Sequence, residues 1–478
     1  MAMELPHDLI KALQRIDGFE ERGFVKAHEM SAPTSIRLNA RKIERHSSCE
    51  NAQALSNHLT AVIKNGIPWC SAGYYLHQRL SFTFDPFFHA GCYYVQEASS
   101  MFLEEACRQL IDLSKSHNAL DLCGAPGGKS THLQSLLSRE SLLVCNEVIR
   151  SRSGILKDNI IKWGGSNVFV TNNDPSAFQA APNFFDLLVV DAPCSGSGLF
   201  RKDQSAIEEW SMNNVVLCCQ RQKRIIADAL PALRDGGVLI YSTCSYSEEE
   251  NEDVCDWLTG EFGLESLQLV LNNSWGVVPV TSKIHKAAGY RFFPNLTEGE
   301  GFFTACFRKN TSSEGNKKNR IQEKSKQVEK ASAKEKAIVE NVLENANGNF
   351  IKIQNRIIFL PANKLQDLNE LSSALNIRYA GIAMGEIMKD KLIPDHALAM
   401  SNEMNKNVQS IDLDEEQAIK YLQRAEFQLA SNIRGWTLMK YKNYPLGWAN
   451  LLGNRLNNYY PKELRILKAQ DDRPSQKL

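Results

Sequence analysis

Two cysteines sit in small polar company at the ends of apolar runs, Cys194 in VVDAPCSGSG and Cys244 in LIYSTCSYS. A thiolate is a strong nucleophile, and a cysteine flanked by small residues at a strand end is open to a substrate. One buried cysteine is more often a packing residue. Two at successive strand ends point instead to covalent catalysis, with a second group to help a proton on or off. Asp191, three residues before Cys194, adds a carboxylate at the same place.

A second constellation is ALDLCGAPGGKSTHL (119–133), an apolar strand, a Gly/Pro loop and a helix beginning near Lys129. Such a loop lets backbone N–H groups approach a ligand at a helix N-terminus. A phosphate-binding loop requires four residues between its first glycine and GK[ST], whereas Gly124 leaves only three before Gly128-Lys129-Ser130. That near miss argues against ATP, although LLVVDAP could pass for the acidic strand of an ATPase. Glu147 follows at about the distance where a doubly wound nucleotide site places a carboxylate on ribose hydroxyls. Asn173 and Asp174 end the next apolar run, where short polar side chains could reach an adenine amine or simply turn the chain before Pro175.

These residues need a scaffold that brings strand ends together. Between 96 and 309 short apolar runs alternate with helical segments: ALDL (119–122), SLLVCNE (141–147), NVFVTNND (167–174), FDLLVVDAP (185–193) and GGVLIYSTCS (236–245). The pattern predicts a doubly wound parallel α/β sheet, which binds ligands outside the carboxyl ends of its strands. Residues 1–95 read as a small α+β domain with an aromatic stretch from Trp69 to Phe88. Residues 310–345, poor in large apolar side chains at first and rich in lysine, read as a charged linker, helical near its end. Residues 346–478 read as a smaller third domain.

Equal numbers of basic and acidic residues, 55 each, leave any nucleic-acid affinity to local patches. The 12 cysteines include no CxxC pair, so reduced thiols and no metal site are expected. The start, MAMELPHDLIKALQR, lacks the features of a secretory signal, and no apolar run is long enough to cross a bilayer, so a cytoplasmic monomer is expected.

Taken together, LDLCGAPGGK, NEVIRSR, DAPCSGSG and YSTCSYSEEENE resemble the Sun (Fmu, or NOL-NOP-Sun) family of RNA cytosine-5 methyltransferases. QEASSM (96–101), RKD (201–203), RFFPN and EGFF (300–303) match further family blocks in order, over about 90–310. The flanks, with PLGW and NNYYP near the end, resemble its bacterial small-subunit ribosomal RNA branch. The resemblance implies a Rossmann-like S-adenosylmethionine-dependent methyltransferase core between RNA-binding flanks, the C-terminal one PUA-like. The implied partner is small-subunit ribosomal RNA or the small subunit itself.

By the same resemblance Cys244 attacks C6 of the cytosine, Cys194 assists proton removal and release, and Asp191 holds the cytosine edge with Lys129 near the base. The donor falls to Cys123, Gly124, Ala125, Pro126, Gly127, Gly128 and Lys129, with Glu147, Arg152, Asp174 and Asp191. DNA enzymes of this chemistry generally use the Pro-Cys cysteine as nucleophile, so the extra Thr-Cys cysteine points to RNA. One departure is Gly124, where the family usually has alanine; the lost methyl group is expected to loosen the loop slightly. The competing readings are a noncatalytic RNA-binding ribosome assembly factor and an ATP-binding enzyme.

Overall fold

The computed structural model describes residues 5–16, 18–46, 49–310, 328–429, 431–453 and 455–468, with backbone alone at 49–53. The N-terminal module is an antiparallel sheet of β1 (Thr34–Leu38), β2 (Ile63–Gly66), β3 (Gly73–Leu76) and β4 (Tyr93–Val95), in the order β2-β3-β1-β4. A short helix, α1 (Leu103–Leu110), leads into the central domain.

The central sheet takes β5 (Asn118–Asp121), β6 (Leu142–Asn146), β7 (Val168–Thr171), β8 (Phe185–Asp191) and β9 (Leu233–Thr243) in parallel, ordered β7-β6-β5-β8-β9. Their near-continuous apolar runs are those of strands covered on both faces; every residue of β6 and β7 is buried. The order reverses at β5, whose neighbours are β6 and β8, so the crevice of a doubly wound sheet opens at its carboxyl end. Beyond β9 the sheet turns antiparallel through β10 (Glu265–Leu267), β11 (Val278–Thr281), β12 (Ala288–Phe292) and β13 (Phe302–Arg308).

Alternate side chains along the strands feed two cores. Ala119, Leu143, Val170 and Val189 face α2 (Gly128–Leu136) and α3 (Arg150–Trp163), meeting Leu133, Leu156 and Ile160. Leu120, Val144, Leu188 and Leu239 face α4 (Met212–Ala229) and α5 (Glu252–Phe262), meeting Ile225, Ile226, Val254 and Leu258. Each such aliphatic side chain contributes about 1.5–3 kcal/mol on burial. Ser211 accepts from Asn214 N at 3.1 Å to start α4, and Gly164 in the left-handed region ends α3.

Of the stretch expected to be charged linker, 311–327 lies outside the described residues, but the remainder is structured. It forms β14 (Glu329–Lys330) and α6 (Ala333–Val339), which begins with a capping box from Ser332 and Glu335 and buries Val339. The helix expected near the end of this stretch is thus present, and Val339 and Leu343 join the C-terminal core. The C-terminal part then builds two sheets. One joins β14 to β15 (Gly348–Ile353), β16 (Arg356–Pro361), β18 (Ile382–Met388) and β19 (Lys391–Pro394); between β16 and β18, β17 (Ile377–Ala380) leaves to pair antiparallel with β7 of the central sheet. The other is β20 (Ser410–Leu413), β21 (Arg434–Tyr441), β22 (Tyr444–Leu452) and β23 (Leu456–Asn458).

Packing ignores the domain boundaries drawn from sequence. Ile36, Phe84 and Tyr93 of the N-terminal module share one core with Leu413, Tyr421, Tyr441 and Tyr444. The aromatic stretch is largely interior: Trp69, Tyr75, Phe84 and Phe87 are buried. Among the described residues no helix is long and apolar enough to cross a membrane.

Candidate active site

At the end of β5 the chain enters a loop whose carbonyls are tied back. Arg152 donates to Ala125 O at 2.9 Å, Asn159 to Pro126 O at 2.8 Å, and Thr131 N to Gly127 O at 2.9 Å. The first N–H groups of α2, which have no intrahelical acceptors, are left as donors for a ligand. Gly127, at φ 120°, takes a conformation that a side chain would strain. Asn146 ties the neighbouring strand ends together, donating to Leu122 O at 3.1 Å and Asn173 O at 3.0 Å.

Carboxylates ring this crevice. Glu147 is buried and accepts from Ile149 N at 2.9 Å, with Arg152 at 3.5 Å. Asp174 is exposed and caps the turn that follows it, accepting from Ser176 N at 3.1 Å, with Arg224 at 3.6 Å. Asp121, which the sequence reading passed over, is fully buried. Its Oδ2 accepts from Ser130 Oγ at 2.5 Å, while Oδ1 has no hydrogen-bond partner among the described residues. Burial pushes its pKa up to about 7.

Gly124 does not loosen the loop. A methyl group there would meet Ser130 Oγ at 2.7 Å and Asp121 Oδ2 at 3.2 Å, so the space an alanine would fill is already taken by the Ser130–Asp121 hydrogen bond. Gly124→Ala is therefore expected to cost about 1–3 kcal/mol by overpacking. Ser130→Ala in the same chain should relieve part of that cost. Denaturant unfolding of the four members of the cycle measures the coupling, and strict additivity would mean that the two positions do not compete for space.

The two cysteines singled out in the sequence lie just beyond the ends of β8 and β9. Cys194 Sγ and Cys244 Sγ are 3.0 Å apart, both half-buried. The hydrogen bond to Cys244 and burial push the Cys194 thiol well above its usual range. Either sulfur can be the donor in this contact. Asp191 is held from two sides, by Lys129 Nζ at 2.8 Å and Ser242 Oγ at 2.9 Å. Lys129 therefore ties the start of α2 to the carboxylate at the end of β8.

Glu250, a residue the sequence reading missed, joins the two cysteine loops. It is fully buried and accepts from Ser195 N at 2.8 Å, Ser195 Oγ at 2.6 Å and Gln222 Nε2 at 3.2 Å, and also from Ser245 Oγ. Its position in a run of acids, SEEENE, gave no sign that this glutamate turns inward. Gly198 N donates to Cys244 O at 2.8 Å, and a side chain on Gly198 would strike Gly301 O. The small residues after Cys194 and the EGFF block thus serve close backbone contact around the Cys244 loop.

A family model described as 16S rRNA methyltransferase RsmB/F matches residues 108–308. One described as the N-terminal domain of 16S rRNA methyltransferase RsmF matches 5–98, and one described as the methyltransferase RsmF PUA domain matches 408–466. The chain is 31% identical over 465 residues to the ribosomal RNA small subunit methyltransferase F of Vibrio campbellii, covering 92% of this chain and 93% of that protein. To the protein of the same name from Vibrio cholerae it is 30% identical over 481 residues, covering 97% and 98%. A solved methyltransferase homolog protein from Pyrococcus horikoshii is 27% identical, with a TM-score of 0.51, covering 64% of this chain and 100% of that one. NSun6 from the same organism, solved with SFG, shares the fold at 19% identity and a TM-score of 0.53, covering 65% and 100%.

Proposed function

Because this chain belongs to the ribosomal RNA small subunit methyltransferase F family, we propose that it methylates C5 of a cytidine in small-subunit ribosomal RNA, with S-adenosylmethionine as donor and Cys244 as covalent catalyst. The observation that carries the reading is the contact of two thiols beside a pinned carboxylate, at the same sheet edge as the donor loop.

The residues at the crevice fit that donor. Glu147 offers a carboxylate for ribose hydroxyls, and Asp121 holds an unpartnered buried oxygen suited to a cationic group. Asp174, Arg152 and the loop from Cys123 to Lys129 complete the set. The bound donor supplies an electrophilic methyl group.

The chain's own residues do the rest. The Cys244 thiolate adds to C6 of the base and the ring's electron pair moves to C5, turning a poor nucleophile into an enamine-like one. Asp191, held by Lys129 and Ser242, binds the cytosine edge as charge builds on the ring. Once the Cys244 sulfur is committed to carbon, Cys194 is freed from its hydrogen bond and can give its proton to solvent. Its sulfur is then an acceptor for the C5 proton; taking that proton restores the double bond and expels the Cys244 thiolate. The target base must be unpaired or flipped out to reach such a site. The PUA match and the flanking modules are the natural sources of RNA affinity.

Bisulfite mapping of small-subunit ribosomal RNA, with and without this protein, tests the reading. One protected cytidine that appears only with the active chain is expected. RNA binding without any new methyl group would leave the noncatalytic assembly-factor reading standing.

A further inference from the structure

The N-terminal module reaches into the donor site. We propose that Arg37, on β1, is a positioning residue that holds the donor loop in its binding shape through α2, an inference that rests on the donor assignment above.

Arg37 is 1% exposed, and its guanidinium is spread across three segments. Nε donates to Gln96 Oε1 at 2.9 Å. The two terminal nitrogens reach Thr131 Oγ1 at 2.7 Å, Gly128 O at 3.3 Å and Ser135 Oγ at 3.4 Å. Its plane lies 4.5 Å from the Trp163 ring at the end of α3. One cation thus grips α2 at its first, fourth and eighth residues and touches the helix that follows Glu147. Thr131 Oγ1, which accepts from Arg37, passes the contact on by donating to Gly127 O at 2.7 Å. Gly127 is the loop residue at φ 120°, so the chain Arg37, Thr131, Gly127 ends where the loop's conformation is set.

The charge of Arg37 has its own support. Burial lowers its pKa to about 10, which leaves it protonated at neutral pH. The nearby carboxylate is Glu104 on α1. Burial pushes that group upward, but hydrogen bonds from His132 and Ser71 outweigh it and hold Glu104 below the usual carboxylate range. Glu104 Oε2 accepts from His132 Nε2 at 3.0 Å and Cys70 Sγ at 3.2 Å, and Oε1 accepts from Ser71 N at 3.0 Å. Cys70, Glu104 and His132 have donor types that could hold a metal ion. Their atoms are already hydrogen-bonded to one another, however, and a divalent cation would stand near the buried Arg37 cation. A planar fork that reaches several acceptors is what arginine supplies and lysine does not.

The test compares Arg37→Lys, Thr131→Val and Thr131→Ser with the wild-type full chain. Calorimetric Kd for S-adenosylmethionine is read beside KM for donor, KM for RNA and the thermal midpoint. Arg37→Lys and Thr131→Val are expected to weaken donor binding about tenfold, with KM for RNA changed by no more than about twofold, since one or two hydrogen bonds to a charged group are lost. Thr131→Ser, which keeps the hydroxyl, should bind the donor like the wild type. A lowered thermal midpoint with unchanged donor Kd would overturn the proposal and make both residues ordinary packing. Loss of RNA binding alone would also overturn it, assigning this contact to the substrate. If Arg37→Lys does not fold, the near-isosteric Thr131 pair still decides. Failure of the wild type itself to bind S-adenosylmethionine is a separate result, and it strikes the donor assignment instead.

Discussion

Cys244→Ala is expected to reduce methyl transfer to background, a loss of about four orders of magnitude or more, because it removes the atom that activates the base. Donor binding should persist, since the Asp121, Glu147 and loop contacts lie on other strands. Cys194→Ala should behave differently. It leaves Cys244 able to attack but removes the nearby sulfur that accepts the C5 proton, so a covalent protein–RNA complex should accumulate as a slow band on a denaturing gel. That band should vanish in the Cys194→Ala/Cys244→Ala double variant. The 3.0 Å contact makes the two sulfurs geometrically close to equivalent, so the trapping pattern is what separates their roles. Trapping in Cys244→Ala but not in Cys194→Ala would reverse the assignment. Full activity in both would end the covalent mechanism for this chain.

What the sequence made legible was the parallel sheet and which residues lie at its strand ends. The apolar runs before Asp121, Glu147, Asp174, Asp191 and Cys244 correspond to five parallel strands, because a strand buried on both faces has to be apolar along its length. Less legible was anything that depends on side chains meeting from distant segments. Nothing around Arg37 marks it as reaching α2, almost a hundred residues on, and Glu250 is one acid among several. Gly124 misled for the same reason, since its meaning lies in Ser130 and Asp121 rather than in its own flexibility. β17 was invisible as part of the central sheet because a short edge strand carries no mark of its partner. The aromatic stretch around Phe84 and Phe87 does not show in sequence what it packs on; in the structure both join a core with the C-terminal sheet, Phe87 against Tyr441 and Tyr444.

Glu250 provides the second large effect. Its carboxylate is the link between the loop bearing Cys194 and the loop bearing Cys244, through Ser195 on one side and Ser245 on the other. Glu250→Ala strands Ser195 N as a buried donor, costing about 1–3 kcal/mol, and leaves Gln222 Nε2 with Pro193 O as its acceptor. It also frees the two sulfurs to drift, and a misplacement of about 1 Å at reacting atoms can cost roughly a hundredfold in rate. Glu250→Gln should be milder. With its amide nitrogen placed at the Oε2 position, the Ser195 and Ser245 hydroxyls can rotate to accept, while the amide oxygen still receives Ser195 N and Gln222. The expected order of methyl-transfer rate is therefore wild type, then Gln, then Ala, with donor Kd unchanged across the three. Trapping gives an independent reading: in a Cys194→Ala background, Glu250→Ala should cut the yield of covalent complex because Cys244 is no longer aimed at C6. If Glu250→Ala lowered only the thermal midpoint and left both rate and trapping intact at a temperature where the chain is folded, the cysteine loops would have to be held in place by their other contacts, Gly198 N to Cys244 O and Tyr246 N to Ser197 Oγ among them.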